Sequence, residues 1–287
     1  MRAILLSLLT NMQLAANTKQ KVQTLEAAFL EQPQVDCPVV HRFGPGIYIR
    51  EVSIPAGTLS IGHRQTTTHL NVMLAGRVIM VNEDGTKTEV AAPQTFVAGP
   101  GRKIGYILED MIWQNIYATD ETDVEKLEAM FLDKSNTWQE HQKNQQLLLS
   151  FDHSENVADY YAAIAEYGFD HETVQSQVQN LDDQIPLPHG GYKIMVAPSK
   201  IDGKGVFATG NIDAGEIIAP ARINNKRTPA GRYTNHSKNP NAKMILLDNG
   251  DVNLVAAMPI VGCKGGNLGE EITIDYRQAL SLAIRRN

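Results

Sequence analysis

Cysteine is scarce in this chain of 287 residues: there are two, Cys37 and Cys263, far apart. So few exclude a disulfide framework and any Cys-x-x-Cys metal site, and they fit a reducing compartment. An excess of basic charge is missing as well. The formal charge is −6 and the sequence pI about 5.8. The basic residues that do cluster, Lys226, Arg227 and Arg232, make only a local patch, so nucleic acid is not the expected main partner. No run approaches the ~18 apolar residues of a membrane span, and a membrane is not expected as a partner either. The apolar start, Arg2 to Leu9, is short and soon followed by Asn11 and Gln13, which fits a helix better than a leader.

What is present is enough apolar sequence, 43% of residues, for two domains with their own cores. Ile4, Leu8 and Met12 share one helical face, and Val22, Leu25 and Phe29 continue a similar spacing. This arm, residues 1–32, either packs on its own domain or forms the seam of a homo-oligomer. Residues 33–135 read mainly as β. Tyr48 to Ile54 makes a strand, His69 to Leu74 and Arg77 to Val81 flank Ala75-Gly76, and Glu83-Asp84-Gly85 turns into Thr86 to Val90. Gly99-Pro100-Gly101 marks a break, and Met111 to Tyr117 another strand. Even spacing of short strands suggests a sandwich or barrel.

Thr122 to Leu132 reads as a helix, with Thr122 as its cap and Glu125 three residues on. Residues 136–189 then read as a helical connector. Ser154 opens a helix that Gly168 ends, and Asp170 caps the next across Val174 and Val178. With no cluster of reactive side chains in it, the connector reads as a spacer. From Tyr192 the pattern is β again, with Gly205 to Thr209 as a strand and a hairpin around Asn249-Gly250. Ile272 to Tyr276 is the last strand, and Gln278 to Ile284 a short terminal helix.

Residues 33–135 resemble the cupin fold. Aligned on Gly76, they offer His63, Gln65 and His69 where the family's first metal motif lies, but no histidine between Arg102 and Tyr106 for the second. Two imidazoles and an amide are a poor set for a first-row metal, so no metal is expected. The histidines read instead as wall residues or hydrogen-bond partners of Thr66 to Thr68.

The last hundred residues carry more specific strings. Gly203-Lys204-Gly205 comes first, then Arg232-Tyr233-Thr234-Asn235-His236-Ser237 with Pro240-Asn241, then Gly269-Glu270-Glu271-Ile272-Thr273-Ile274-Asp275-Tyr276. Alone, the glycines read as a turn and Asn, Ser and Pro as a turn cluster. In this order, residues 190–284 resemble the SET domain, with Lys238 at the place of a common cysteine and about twenty-five residues between the first two motifs, short for the family. The resemblance implies S-adenosylmethionine as cofactor. Its binders would be Gly203, Lys204, Gly205, Arg232, Asn235 and His236, with Tyr276 as the channel tyrosine and Tyr233 beside it. The lid is left unassigned: the C-terminal helix, the connector or a neighbouring subunit would supply it.

The fold expected is therefore mainly β with an α connector: an N-terminal cupin-like double-stranded β-helix and a C-terminal SET-like β fold in residues 190–287. This pairing is similar to cupin/SET proteins of tailed phages. The function expected is a phage-encoded protein-lysine N-methyltransferase. Its partners would be a protein with an exposed lysine and further copies of itself, in the bacterial host's cytoplasm or the virion. The alternative is a structural or accessory virion protein that keeps a SET fold for binding or assembly. A metal-dependent cupin enzyme is the weakest reading, because its ligand set is incomplete.

Overall fold

A computed structural model describes residues 19–81, 86–148, 154–262 and 268–284. Ile4, Leu8, Met12 and the turn Glu83-Asp84-Gly85 lie outside the described residues. Helix α1 (Lys19–Leu30) leads into strands β1 (Val39–Gly44), β2 (Ile47–Ile54), β3 (Leu59–Ile61), β4 (Arg64–Gln65), β5 (His69–Val81), β6 (Lys87–Ala91), β7 (Gln94–Ala98) and β8 (Ile104–Ala118). Next come α2 (Val124–Phe131), β9 (Leu132–Asp133), α3 (Asn136–Leu148), α4 (Ser154–Ala165) and α5 (His171–Gln179). The C-terminal part holds β10 (Gly190–Tyr192), β11 (Ile194–Pro198), β12 (Lys204–Ala208), β13 (Ile217–Ile223), β14 (Lys226–Arg227), α6 (Pro229–Arg232), β15 (Asn235–His236), β16 (Ala242–Leu246), β17 (Val252–Ala256), β18 (Glu271–Ile274) and α7 (Tyr276–Ile284).

The first sheet runs β10-β1-β2-β8-β5-β6, with β3 also on β8 and β7 on β5. Its longest strands, β5 and β8, pair along most of their length. The expected turn at Ala75-Gly76 is instead a bulge inside β5, where the register shifts. Gly76 sits there at φ +90°, and a Cβ on it would lie 2.4 Å from the Asp110 carbonyl oxygen, so only glycine lets the two backbones pass. Alternating side chains put Met73, Val78, Met80, Ile107, Met111 and Trp113 in one buried cluster.

Helix α1 packs on this sheet. Leu25, like Leu59 and Ile61, packs against Val81 and Ile104, and the buried Glu26 pairs with Arg102. Helix α2 begins one residue later than the sequence pattern suggests. Asp123, not Thr122, is its cap, accepting from the Glu125 amide at 3.0 Å, because a carboxylate serves the exposed N-terminal amides well. Asp170 caps α5 as expected, with the Thr173 amide at 2.7 Å.

Two smaller sheets follow, β11-β12-β18-β15 and β14-β13-β17-β16. They are joined to the first one. Strand β10 extends it through Tyr192 opposite His41, and Thr209 exchanges bonds of 2.8 and 2.7 Å with the backbone of Val39. A single buried cluster accordingly runs from Phe43, Tyr48 and Tyr117 to Val206, Leu254 and Ile272.

Candidate functional site

The three C-terminal strings meet at one place. Strand β15 lies parallel to β18, with Asn235 opposite Thr273 and His236 opposite Ile274. The Ser237 amide continues the pairing to the Ile274 carbonyl at 2.9 Å. Asn241 locks it from the side: its amide donates to the Glu271 carbonyl at 2.9 Å and its oxygen accepts from the Thr273 amide at 2.9 Å. The Pro240-Asn241 part of the string thus fastens the strand pair.

Asn235 is buried and turns towards the glycine loop. Its Nδ2 donates to Glu271 Oε1 at 2.7 Å and to the carbonyls of Lys204 and Asp202 at 3.1 and 3.2 Å. Gly203 takes φ +47° in that loop. Gly205 has a different reason to be glycine: a Cβ there would lie 2.2 Å from Glu271 Oε1. The close approach that it allows is to a side chain of this same chain, and Ser199 Oγ donates to both Glu271 oxygens at 2.8 Å. The Lys204 ammonium points elsewhere, to Glu125 at 2.6 Å, which ties the loop to α2.

His236 is buried between β18 and α4. The Tyr276 amide donates to its Nδ1 at 3.2 Å. A backbone N–H can only donate, so the ring proton of the neutral imidazole sits on Nε2. Nε2 faces Asp159 Oδ2 at 3.1 Å. Asp159 also accepts from Arg277 at 2.9 and 3.1 Å, and Arg277 together with His236 holds its carboxyl below the usual range. Tyr276 opens α7 instead of ending the strand. Its hydroxyl donates to the Thr234 carbonyl at 3.3 Å, and burial pushes its pKa well up. The rings of His236 and Tyr160 meet it edge-on at 5.3 and 5.8 Å.

These contacts change the reading of the connector. Helix α4 lies over the motif residues through Asp159 and Tyr160, and Tyr167, just past its end, donates to the Arg277 carbonyl at 3.0 Å. Sequence reasoning missed Asp159, Tyr160 and Arg277. The signal available was the i, i+1 placement of an acid and an aromatic on a helix that precedes the motifs, and that is too common to single out.

A cavity of about 170 Å³ lies on the far side of Tyr276, lined among others by Ile164, Val178, Arg232, Thr234 and Leu282. Arg232 is buried there, and its Nε and Nη2 lack a hydrogen-bond partner among the described residues. Asp183 stands 3.9 Å away but is held more closely by Arg227, at 2.8 Å, and burial lowers the Arg232 pKa. Tyr233 does not line this cavity; its ring lies 5.9 Å from the Arg232 guanidinium. Gly203, Lys204, Gly205, Asn235 and His236 line neither it nor two larger cavities, one of about 530 Å³ between the N-terminal half and residues such as Met195, Pro198 and Leu268, the other of about 510 Å³ within the N-terminal half.

In the N-terminal half each of the three residues of the cupin-like motif has partners within the chain. His63 sets its ring edge-on to Trp138 at 4.6 Å. Gln65 accepts from the Tyr117 hydroxyl at 2.6 Å. His69 Nδ1 lies 3.0 Å from the Thr67 carbonyl. Among the described residues no three His, Cys, Asp or Glu side chains come together in a way that could hold a metal, and no helix is long and apolar enough to cross a membrane.

No protein-family model and no curated protein matches the chain. Solved structures do. A cupin domain from Bordetella pertussis is 14% identical, covering 31% of this chain and 98% of its own, at a TM-score of 0.26. An RmlC-like cupin with a double-stranded β-helix fold from Methanocaldococcus jannaschii is 12% identical, covering 34% and 89%, at 0.26. A cupin-2 domain protein from Shewanella frigidimarina is 12% identical, covering 33% and 92%, at 0.25. These three neighbours are cupin domains matched over about a third of a mostly β chain, while the SET-like reading of residues 190–284 rests on its motifs.

Proposed function

We propose that residues 190–284 form an S-adenosylmethionine-dependent protein-lysine N-methyltransferase, with α4 as its lid. The observation that supports this most is the convergence of three strings far apart in sequence: Asn235 bonds the glycine loop on one side, while its neighbour His236 bonds the Tyr276 amide on the other. A turn cluster needs no such meeting.

The chemistry of the residues fits the cofactor's charged end. The buried Arg232 guanidinium, short of partners, suits a carboxylate. The space is smaller than the cofactor needs. At about 170 Å³ the cavity beside Tyr276 falls below the ~300–1,000 Å³ of small-molecule pockets. Entry therefore requires α4 to draw back, breaking the Asp159–His236 contact, and that motion is part of the proposal.

When bound, the cofactor would supply an already activated methyl group. The chain has only to align a lysine amine with it and keep that amine neutral. Alignment contributes up to about 7–11 kcal/mol. Lysine is charged in water near its pKa of ~10.4, and apolar walls such as Ile164, Val178 and Leu282 favour the neutral form. The Tyr276 hydroxyl, already bonded to the Thr234 carbonyl, would orient the amine. The methyl acceptor would be a protein lysine in the bacterial host's cytoplasm or in a phage particle, the setting implied by the cupin/SET resemblance.

One observation favours a second reading, that of an accessory or structural protein. The Asn235 amide is satisfied by the chain itself, as in a site kept for its shape. Transfer of labelled methyl groups from S-adenosylmethionine to a bacterial host lysate separates the two. The enzyme reading expects a labelled band that Tyr276→Phe removes. Absence of label with the folded wild type supports the accessory role.

A further inference from the structure

The first sheet lines a partly open chamber of about 510 Å³, well inside the range of small-molecule pockets. Its walls are largely apolar, with Val52, Ile54, Met80, Ile107, Met111 and Trp113 among them. Helix α1 covers one side through Phe29 and Leu30. Charged groups in such a wall need counter-ions, since an unpaired charge in apolar surroundings is costly. Glu26 has Arg102, and Arg50 has Glu128 at 3.8 Å.

Lys103 is different. Among the described residues no carboxylate lies within ion-pair distance of it. Its ammonium sits 5.4 Å from the ring centres of both Phe96 and Trp113. Among the described residues it has one hydrogen-bond acceptor, Asn71 Oδ1 at 3.1 Å. That oxygen is already crowded by the Trp113 indole N–H at 3.1 Å and the Asn115 amide at 2.9 Å. An ammonium carries three donors, so two remain for something inside the chamber. The Asn71–Trp113–Asn115 network holds the lysine in place, and the rings leave its charge desolvated, as an anion-binding point requires.

We propose that this chamber binds a small organic carboxylate with an apolar body, the carboxylate on Lys103 and the body along Ile54, Met80, Ile107 and Met111. The site is independent of the C-terminal motifs and needs no metal. The anion supplies the missing counter-ion and accepts the spare donors. The apolar body replaces solvent against the wall.

Calorimetric titration of the full chain with octanoate and with octanamide tests this. The two probes share a tail, and only the first carries charge. Octanoate is expected to bind about 10- to 100-fold more tightly than the amide, the contrast typical of a charge-assisted hydrogen bond. Lys103→Met should remove that advantage and leave the amide within about twofold of its wild-type affinity, while Lys103→Arg should keep most of it. Equal binding of the two probes by the wild type overturns the proposal, as does unchanged octanoate affinity in Lys103→Met or no binding of either. Should Lys103→Met fail to fold, the comparison of probes on the wild type still decides.

Discussion

Replacing Lys103 by methionine should change how stability depends on pH, in a direction that the structure sets. Burial lowers the Lys103 pKa from the usual 10.5 to about 8. Between these values the unfolded chain holds a proton that the folded chain has lost, so wild-type stability rises with pH across that window. At about 1.4 kcal/mol per pH unit, the full effect has a ceiling of ~3 kcal/mol. Two ring contacts work against it, each contributing about 0.5–1 kcal/mol to the charged form. A net gain of about 1–2 kcal/mol should remain between pH 7.5 and 10.5.

Other groups titrate in that range, so the quantity to read is the difference between wild type and Lys103→Met. His69 faces Lys103 as well, but burial lowers its pKa further below neutrality, which keeps it silent above pH 7.5. The substitution leaves no acceptor orphaned, because Asn71 Oδ1 keeps Trp113 and Asn115. Urea denaturation at pH 7.5, 9 and 10.5 gives the measurement. Lys103→Met should be the more stable at pH 7.5, with its lead shrinking as pH rises. A constant difference, or one that grows with pH, would refute the reasoning about an uncompensated charge.

Three further outcomes are expected. Tyr276→Phe, which gives up one 3.3 Å bond to Thr234, should cost no more than about 1 kcal/mol of stability while lowering methyl transfer by about 100-fold or more in a single-turnover assay; equal losses in the two would point to a structural tyrosine. Gly205→Ala should push the Glu271 carboxylate off Ser199 and Asn235 at a cost of about 1–3 kcal/mol, and Gly231→Ala, whose Cβ would lie 2.0 Å from the Ala221 carbonyl oxygen, should cost about 3 kcal/mol or more; thermal melts that rank them the other way would contradict the packing described. Acidification should destabilise the protein early: burial holds His41 at about 3, so the unfolded chain takes up its proton first and stability falls from about pH 6.5 down, joined below pH 4.5 by Glu128, which burial alone would raise but Lys134 and Arg50 hold at about 2. Urea midpoints that stay flat between pH 7 and 5 would contradict the histidine part.

Much of this was legible in the residues. The hairpin at Asn249-Gly250, the cap at Asp170 and the stop at Gly168 follow from local turn and cap chemistry, which acts over a few residues. Three features were not legible. The bulge at Gly76 depends on Asp110 and Met111, which β8 brings alongside. The attachment of β10 to β1 depends on a free sheet edge that sequence periodicity does not reveal. The seating of α4 on the motif residues depends on Asp159, Tyr160 and Arg277, more than a hundred residues apart at the extremes, and contacts of that separation leave no periodic trace. At the candidate site, the strings pointed to Asn235, His236 and Tyr276 lying together, and they do. The resemblance also put Gly205 at the cofactor and Tyr233 beside Tyr276; Glu271 sits against Gly205, and Tyr233 lies by Arg232 on the same buried cluster as Tyr276.

Calorimetric titration of S-adenosylmethionine into the full-length chain and into Asn235→Ala bears most directly on the proposed enzyme. The account predicts saturable one-to-one binding by the wild type, weakened about tenfold or more in the variant while its far-ultraviolet dichroism is kept. A folded wild type that gives no heat, or a variant that binds as well as the wild type, would contradict it.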